Sequence, residues 1–163
     1  MALRAAVRGV ALGYTFHDET AADRLPHVDR ERLRIIGQGR EWYWITGNHD
    51  PVLPGWLEGA ICPVLNIDGL KFRHEPAAGA KSHEVAGHLH PAARLTRRGA
   101  SVRRKCFVSD GARLVLPAFG AFAGGLNVLD EAFDPLFGAN GFHVWMLGRK
   151  EVYPVAKRQL LAD

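Results

Sequence analysis

An α/β fold is predicted for this chain of 163 residues, and three observations predict it. Two apolar runs near the start, "AAVRGVALG" and "EWYWIT", flank a segment with helical spacing. Strand, helix and strand in that order imply a parallel unit with a right-handed crossover. Further along, short alternating runs are separated by Asp-Gly and Arg-Gly pairs, which read as hairpins. The β-content therefore rises towards the C-terminus. No repeat, low-complexity tract or linker breaks the chain, so one domain over residues 1–163 is expected.

Each element has a local reason. The opening "MALRAAVRGVALG" is short and free of acid, as a targeting peptide would be. Arg8 interrupts its apolar part and no small-residue cleavage site follows cleanly, so it reads as a strand ending at Gly13. In "AADRLPHVDRERLRIIGQG", Leu25, Val28, Leu33 and Ile36 fall on one helical face, and Gly37 and Gly39 supply the stop. "EWYWIT" is a buried strand in which Trp42 and Trp44 are core residues. It runs into "GNHDP", a turn carrying an amide, an imidazole and a carboxylate. "CPVLNIDGLKFRHE" reads as two strands around Asp68-Gly69. "HEVAGHLHPAARLTRRGASVRRKCFVSDGARLVLPAFG" reads as a meander turning at Arg98-Gly99 and at Asp110-Gly111. "FDPLFGANG" reads as a short helix or loop, and "FHVWMLGRKEVYPV" as a closing hairpin.

Composition narrows the class without choosing a function. With 47% hydrophobic and 23% charged residues, the chain has the make-up of a soluble globular protein. Its 21 Lys+Arg against 17 Asp+Glu give a net charge of +4, which is compatible with a nucleic-acid partner. No apolar stretch approaches the length of a membrane span. Cys62 and Cys106 form no disulfide or metal spacing, so packed free thiols in a reducing cytoplasm are expected.

Four of the eight histidines stand where strands end: His49 in "GNHD", His74 in "FRHE", and His88 and His90 in "GHLH". In an extended strand Leu70, Phe72 and His74 share a face, which puts an imidazole on the apolar side where it needs a partner. The i, i+2 spacing of His88 and His90 aims both rings at one side of a strand, and Gly87 allows close backbone approach. A single such histidine reads as a hydrogen-bonded core residue. Four of them with Asn48 suit a borderline divalent cation such as Mn²⁺, Zn²⁺ or Fe²⁺. Open α/β sheets gather ligands at the carboxyl ends of their strands in this way.

The ordered trio of "GNHD", an isolated His74 and "GHLH" resembles the calcineurin-like metallophosphoesterases. "FRHEP", "AGHLHPAARL", "SVRRKCFVSDGARLVLPAFGAFAGGLNVLD" and "VYPV" narrow the resemblance to the ligase-associated DNA damage response endonucleases of the PdeM type. It covers about Arg8 to Val155. The resemblance implies an αββα sandwich, with mixed sheets flanked by helices, and metal-dependent phosphodiester hydrolysis on DNA in a bacterial cytoplasm. It implies two divalent ions, Mn²⁺ foremost, and as partners an ATP-dependent DNA ligase and a helicase-like protein. Carried over, Asn48, His74 and His88 would hold one ion and His90 would touch the other. His49 would protonate the leaving alkoxide, with Asp50 fixing its ring.

The family pattern asks for more upstream. An Asp-x-His should lie on the first strand, and a Gly-Asp should supply a carboxylate that bridges the two ions. This chain has no Asp-x-His before Gly13, and Tyr14 in "LGYTFHDE" stands at the bridging position. Adjacent cations repel unless an anion lies between them, and protein zinc sites usually carry three or four ligands, so at most one ion is expected to be well bound. His17 and Asp18 are the nearby candidates for compensation. The expectation is an N-terminally incomplete domain, lacking the first strand and helix, that is weak or inactive. The alternatives are a module that binds DNA or its partners without cutting, and a small-molecule phosphodiesterase.

Two further stretches bear on function. "RLTRRGASVRRK" gathers Arg94, Arg97, Arg98, Arg103, Arg104 and Lys105 on one hairpin, where they read as contacts to a phosphate backbone. The competing reading is a charged hairpin that keeps a sheet edge soluble. "PAFGAFAGGLNVLD" lacks any phosphate-loop spacing and reads as tight packing. His83 and His143 are assigned no role.

Overall fold

Two apolar runs pair in parallel, as their connection through a helix requires: Arg8–Leu12 (β1) lies against Glu41–Ile45 (β2), with Leu12 opposite Ile45. The computed structural model describes residues 7–16, 18, 20–79, 83–120, 123–137 and 141–163. Contacts divide the chain into two compact units. The first runs to Asn66 and includes Phe72–His74, and the second comprises Ile67–Lys71 and Glu75–Asp163.

In the first unit β2 is central, flanked by β1 and by Ala60–Cys62 (β3), also parallel. Three residues are too few to show a period, and β3 was not expected. Alternation puts Trp42 and Trp44 on one face of β2, where the indoles stack at 5.0 Å and 13°. Trp44 packs with Phe16, Ala22, Leu53 and Leu57 in the core, as expected. The helix His27–Gly37 (α1) joins β1 to β2, but none of its residues is buried. This corrects the predicted apolar face. Leu25 lies before the helix, behind Pro26, and Val28 and Ile36 are more than half exposed. Of the predicted face Leu33 does turn inward, to a cleft of about 280 Å³ lined by Trp42, Trp44 and Trp56, which His27, Arg30, Arg34 and Gly37 also border. Arg30 anchors the helix by donating to the carbonyls of Ala22, Asp23 and Leu25.

The expected hairpin joins Val64–Ile67 (β4) and Leu70–Arg73 (β5). Asp68 and Gly69 turn it at φ of 50° and 83°, the left-handed pair that a two-residue hairpin needs.

The second unit holds a mixed sheet of Glu84–Ala86 (β6), Ala100–Ser109 (β8), Arg113–Val115 (β9), His143–Leu147 (β10) and Val152–Val155 (β11). Its order includes β11-β10-β8-β9-β6, with Ala92–Arg97 (β7) off this path and paired to β8. The turns at Arg98-Gly99 and Asp110-Gly111 and the closing hairpin stand as expected. The meander does not hold throughout, because β6 runs parallel to β9. Cross-strand pairs explain the core: Val108 faces Val144 and Val115, Cys106 faces Met146, and all five are buried. Pro154 is tolerated on β11, which ends the sheet order. The helical layer is sparse. Among the described residues α1 is the one α-helix, and the second unit adds 3₁₀ turns at Glu131–Phe133 and Lys157–Gln159.

Both thiols are free, and burial pushes that of Cys106 up to about 12. Cys62 is partly exposed. No helix among the described residues is long and apolar enough to cross a membrane.

A buried ion pair braces the second unit. Arg113 Nε lies 2.8 Å from Glu84 Oε1, and both side chains are almost fully enclosed. Arg113 also donates to the carbonyls of Leu136, Ala77 and Gly79, and Glu84 accepts from Ala77 N–H. The pair thus pins two loops to β6 and β9. Removing one partner leaves an uncompensated buried charge, so Glu84→Gln is expected to cost about 3 kcal/mol in urea unfolding. An unchanged midpoint would show that the pair has no such role.

Candidate functional site

Because β1 and β2 are parallel and in register, the loops leaving their carboxyl ends meet. Asp50 makes the junction. Its Oδ1 accepts from the N–H groups of Tyr14 at 3.1 Å and Gly47 at 3.2 Å. Its Oδ2 accepts from Thr15 at 2.7 Å and Phe16 at 3.3 Å. The carboxylate is buried, and its charge is matched by four converging backbone dipoles. This corrects the role expected of Asp50: its hydrogen bonds go to the loop after β1 and not to His49.

His74 is brought to the same place from the end of β5. Its Nδ1 lies 2.7 Å from Leu12 O and its Nε2 lies 2.9 Å from Asn48 Oδ1. The ring is buried, as its place beside Phe72 predicted. It packs on Gly13, where a Cβ would overlap Nδ1, and Gly13 has a φ of 79°. Both facts restrict that position to glycine. The Tyr14 ring sits 4.6 Å from the His74 ring, edge-on, and 4.8 Å from the His49 ring. Tyr14 itself is held at a φ of 50°, which is uncommon for a bulky residue and is maintained by the Asp50 bond to its N–H. Asn48 and His49 are exposed.

The first unit therefore brings together Asn48, His49, Asp50 and His74, with Tyr14 among them. Asp18 does not join this group: its carboxylate is engaged by Arg24 and Thr20. Those bonds, Arg24's first, hold it well below the usual carboxylate range. His17 lies outside the described residues.

The donors fit a divalent cation in kind. A histidine whose Nδ1 is backed by a backbone carbonyl presents Nε2 as a ligand, and an amide oxygen is a suitable neighbour. A neutral imidazole carries one N–H, yet both of these partners present oxygen. A divalent cation held by His74 and Asn48 would relieve that opposition, and so does an amide turned to donate Nδ2–H. In number the donors fall short. Among the described residues no group of three or more His, Cys, Asp or Glu could hold a metal ion.

His88 and His90 lie in the second unit, after β6, and the extended reading of "GHLH" is corrected there. His88 has a φ of 66° and His90 a φ of 48°, and Leu89 N–H bonds to Gly87 O across His88 at 2.8 Å. A three-residue turn of this hand is rare and strained, and the two rings do not share the face of a strand. Gly125 lets the following chain cross this turn, since a Cβ there would overlap the carbonyl oxygen of His90. Gly125, within "PAFGAFAGGLNVLD", therefore packs against the motif.

The structure sorts the basic hairpin. Lys105 Nζ is committed to the carbonyls of Ala118, at 2.9 Å, and Gly120. Arg103 pairs with Asp163, and Arg104 donates to Arg103 O. Arg97 and Arg98 are exposed beside the turn. Asp163 went unnoticed in the sequence, because 60 residues separate it from Arg103 and no spacing rule joins them. The meeting of residues 14–16 with Asp50 did leave a signal: "LGYT" and "TGNHD" each follow one of two consecutive parallel strands.

The mixed α/β architecture matches a metallophosphoesterase-like nuclease fold, as the motifs implied. The chain is similar to the crystal structure of the Pseudomonas putida nuclease MPE, at 28% identity and a TM-score of 0.67. The similarity covers 91% of this chain and 70% of that one. No protein-family model and no curated protein matches the chain.

Replacing Asp50 tests the junction. Asp50→Ala leaves four backbone donors without their partner, two of them buried, and about 1–3 kcal/mol per buried donor sets an expected loss of at least about 2 kcal/mol. Amide hydrogen exchange at Thr15 and Phe16 should accelerate in step, and Asp50→Asn should fall between the two. Unchanged exchange would show that something else holds the loop.

Proposed function

We propose that this chain is a metal-dependent phosphodiesterase of the nuclease type, with DNA as its substrate. One observation carries the reading: Asn48 Oδ1 and His74 Nε2 converge at 2.9 Å, with Leu12 O behind the ring. The similarity to a nuclease of the same fold supports it. Asn48 and His74 are the first unit's donors for a divalent cation, Mn²⁺ foremost, and the resemblance alone names His88 and His90 as metal ligands too. Such ions, when bound, activate water and neutralise phosphoryl oxygens. His49, exposed on its turn, protonates the leaving alkoxide. Asp50 positions Tyr14 and the loop around it. Partnership with an ATP-dependent DNA ligase and a helicase-like protein in DNA repair rests on the motif resemblance alone.

The rate should be low. Tyr14 puts a phenol where the resemblance calls for a bridging carboxylate, and its ring lies against both His49 and His74. A site short of anionic ligands binds one ion at best. The same wedge favours a second reading, in which the chain binds DNA without cutting it.

Hydrolysis of bis-p-nitrophenyl phosphate with Mn²⁺ separates the two. Slow turnover is expected, abolished by a chelator or by His74→Ala and reduced about 10²-fold or more by His49→Ala, the lower range for a lost acid–base group. No turnover at any Mn²⁺ concentration, with DNA binding intact, would select the binding module. Fast turnover would refute the expected effect of Tyr14.

A further inference from the structure

Arg94 and Arg103 stand directly opposite each other on the β7–β8 ladder and therefore on one face of the hairpin. The last residues of the chain run beside them. Leu161 N–H donates to Arg94 O at 2.8 Å, Asn127 Nδ2 donates to Leu161 O at 2.8 Å, and Leu160 is buried in the core. This anchoring delivers Asp163 to Arg103. Nε lies 3.1 Å from Oδ1 and Nη2 lies 3.1 Å from Oδ2, the parallel two-point contact of a guanidinium with a carboxylate. Nη2 also donates to Gly125 O at 2.7 Å, which fixes the plane of the fork. The Arg103 bond first, with the charge of Arg94 adding to it, holds the Asp163 carboxyl below its usual range.

A guanidinium fork of this geometry accepts a phosphodiester as readily as a carboxylate. The pair is also half-exposed, at 41% and 47%, so water screens it and a competing anion can reach it. We infer that Asp163 occupies a phosphate-binding position formed by Arg103 and Arg94, and that it competes there with the backbone of a DNA strand. The inference rests on the proposal that DNA is the substrate. It assigns Arg103 and Arg94 to the strand and makes residues 160–163 an internal competitor. Lys105, committed to two carbonyls, takes no part.

Binding of a fluorescein-labelled oligo-dT strand, followed by anisotropy across a salt series, tests this. Asp163→Asn is expected to tighten binding at low salt about threefold or more and to steepen log K against log salt by about 0.7, one added phosphate contact on a single strand. Combined with Arg103→Ala, the same substitution should have no effect. Glu151→Gln, which removes an equal charge elsewhere on the second unit, should leave binding unchanged. DNA binding that is measurable but insensitive to Asp163→Asn, or equally sensitive to Glu151→Gln, overturns the inference and leaves the DNA reading intact. If no variant binds DNA, that reading fails, and titration with pyrophosphate decides the inference alone. Tighter binding to the Asp163→Asn protein upholds the anion position, and equal affinities overturn it.

Discussion

One buried carboxylate organises the first unit. Asp50 accepts four backbone hydrogen bonds from two loops, and those bonds set where Tyr14, Asn48, His49 and His74 lie. A carboxylate is stable in such a place because the N–H dipoles around it do the work of water. The parallel pairing of β1 and β2 makes the contact possible, since it brings both loops out at the same end. Strand, loop and imidazole thus form one chain of cause. The apolar runs pair, their ends meet at Asp50, and the loop it holds offers Leu12 O and Gly13 to His74.

The second unit is built on a different economy. Its sheet is mixed, and its core comes from aligned Val, Cys and Met side chains on three neighbouring strands. Polar residues are enclosed where loops need holding, as with Arg113 and Glu84. The backbone strain at His88 and His90 falls in a short loop of this unit that is crossed closely by the chain at Gly125. Left-handed histidines persist only where neighbours overdetermine the backbone, and that is the usual condition of residues kept for their chemistry.

Much of this was legible in the amino-acid order, and the limits have physical causes. Periodicity found β1, β2 and the four hairpins, because alternation and glycine-containing turns are local properties. The motifs pointed to Asn48, His49 and His74, which the first unit brings together. Local reading failed where tertiary structure decides. The apolar stripe of α1 suggested burial, yet its anchoring through Arg30 leaves Val28 and Ile36 outside. "GHLH" looked extended because spacing carries no information about φ. Asp50 was assigned to its sequence neighbour His49, whereas three of its four partners lie about 35 residues upstream. The tie between Arg103 and Asp163 is of the same long-range kind.

The two thiols have a practical consequence. Cys106 is sealed beneath the sheet and its proton is firmly held, so alkylating reagents and peroxide have no route to it. Cys62 at the end of β3 can be reached. A maleimide dye or spin label would therefore attach at a single native position, giving a spectroscopic reporter in the first unit without any engineered cysteine.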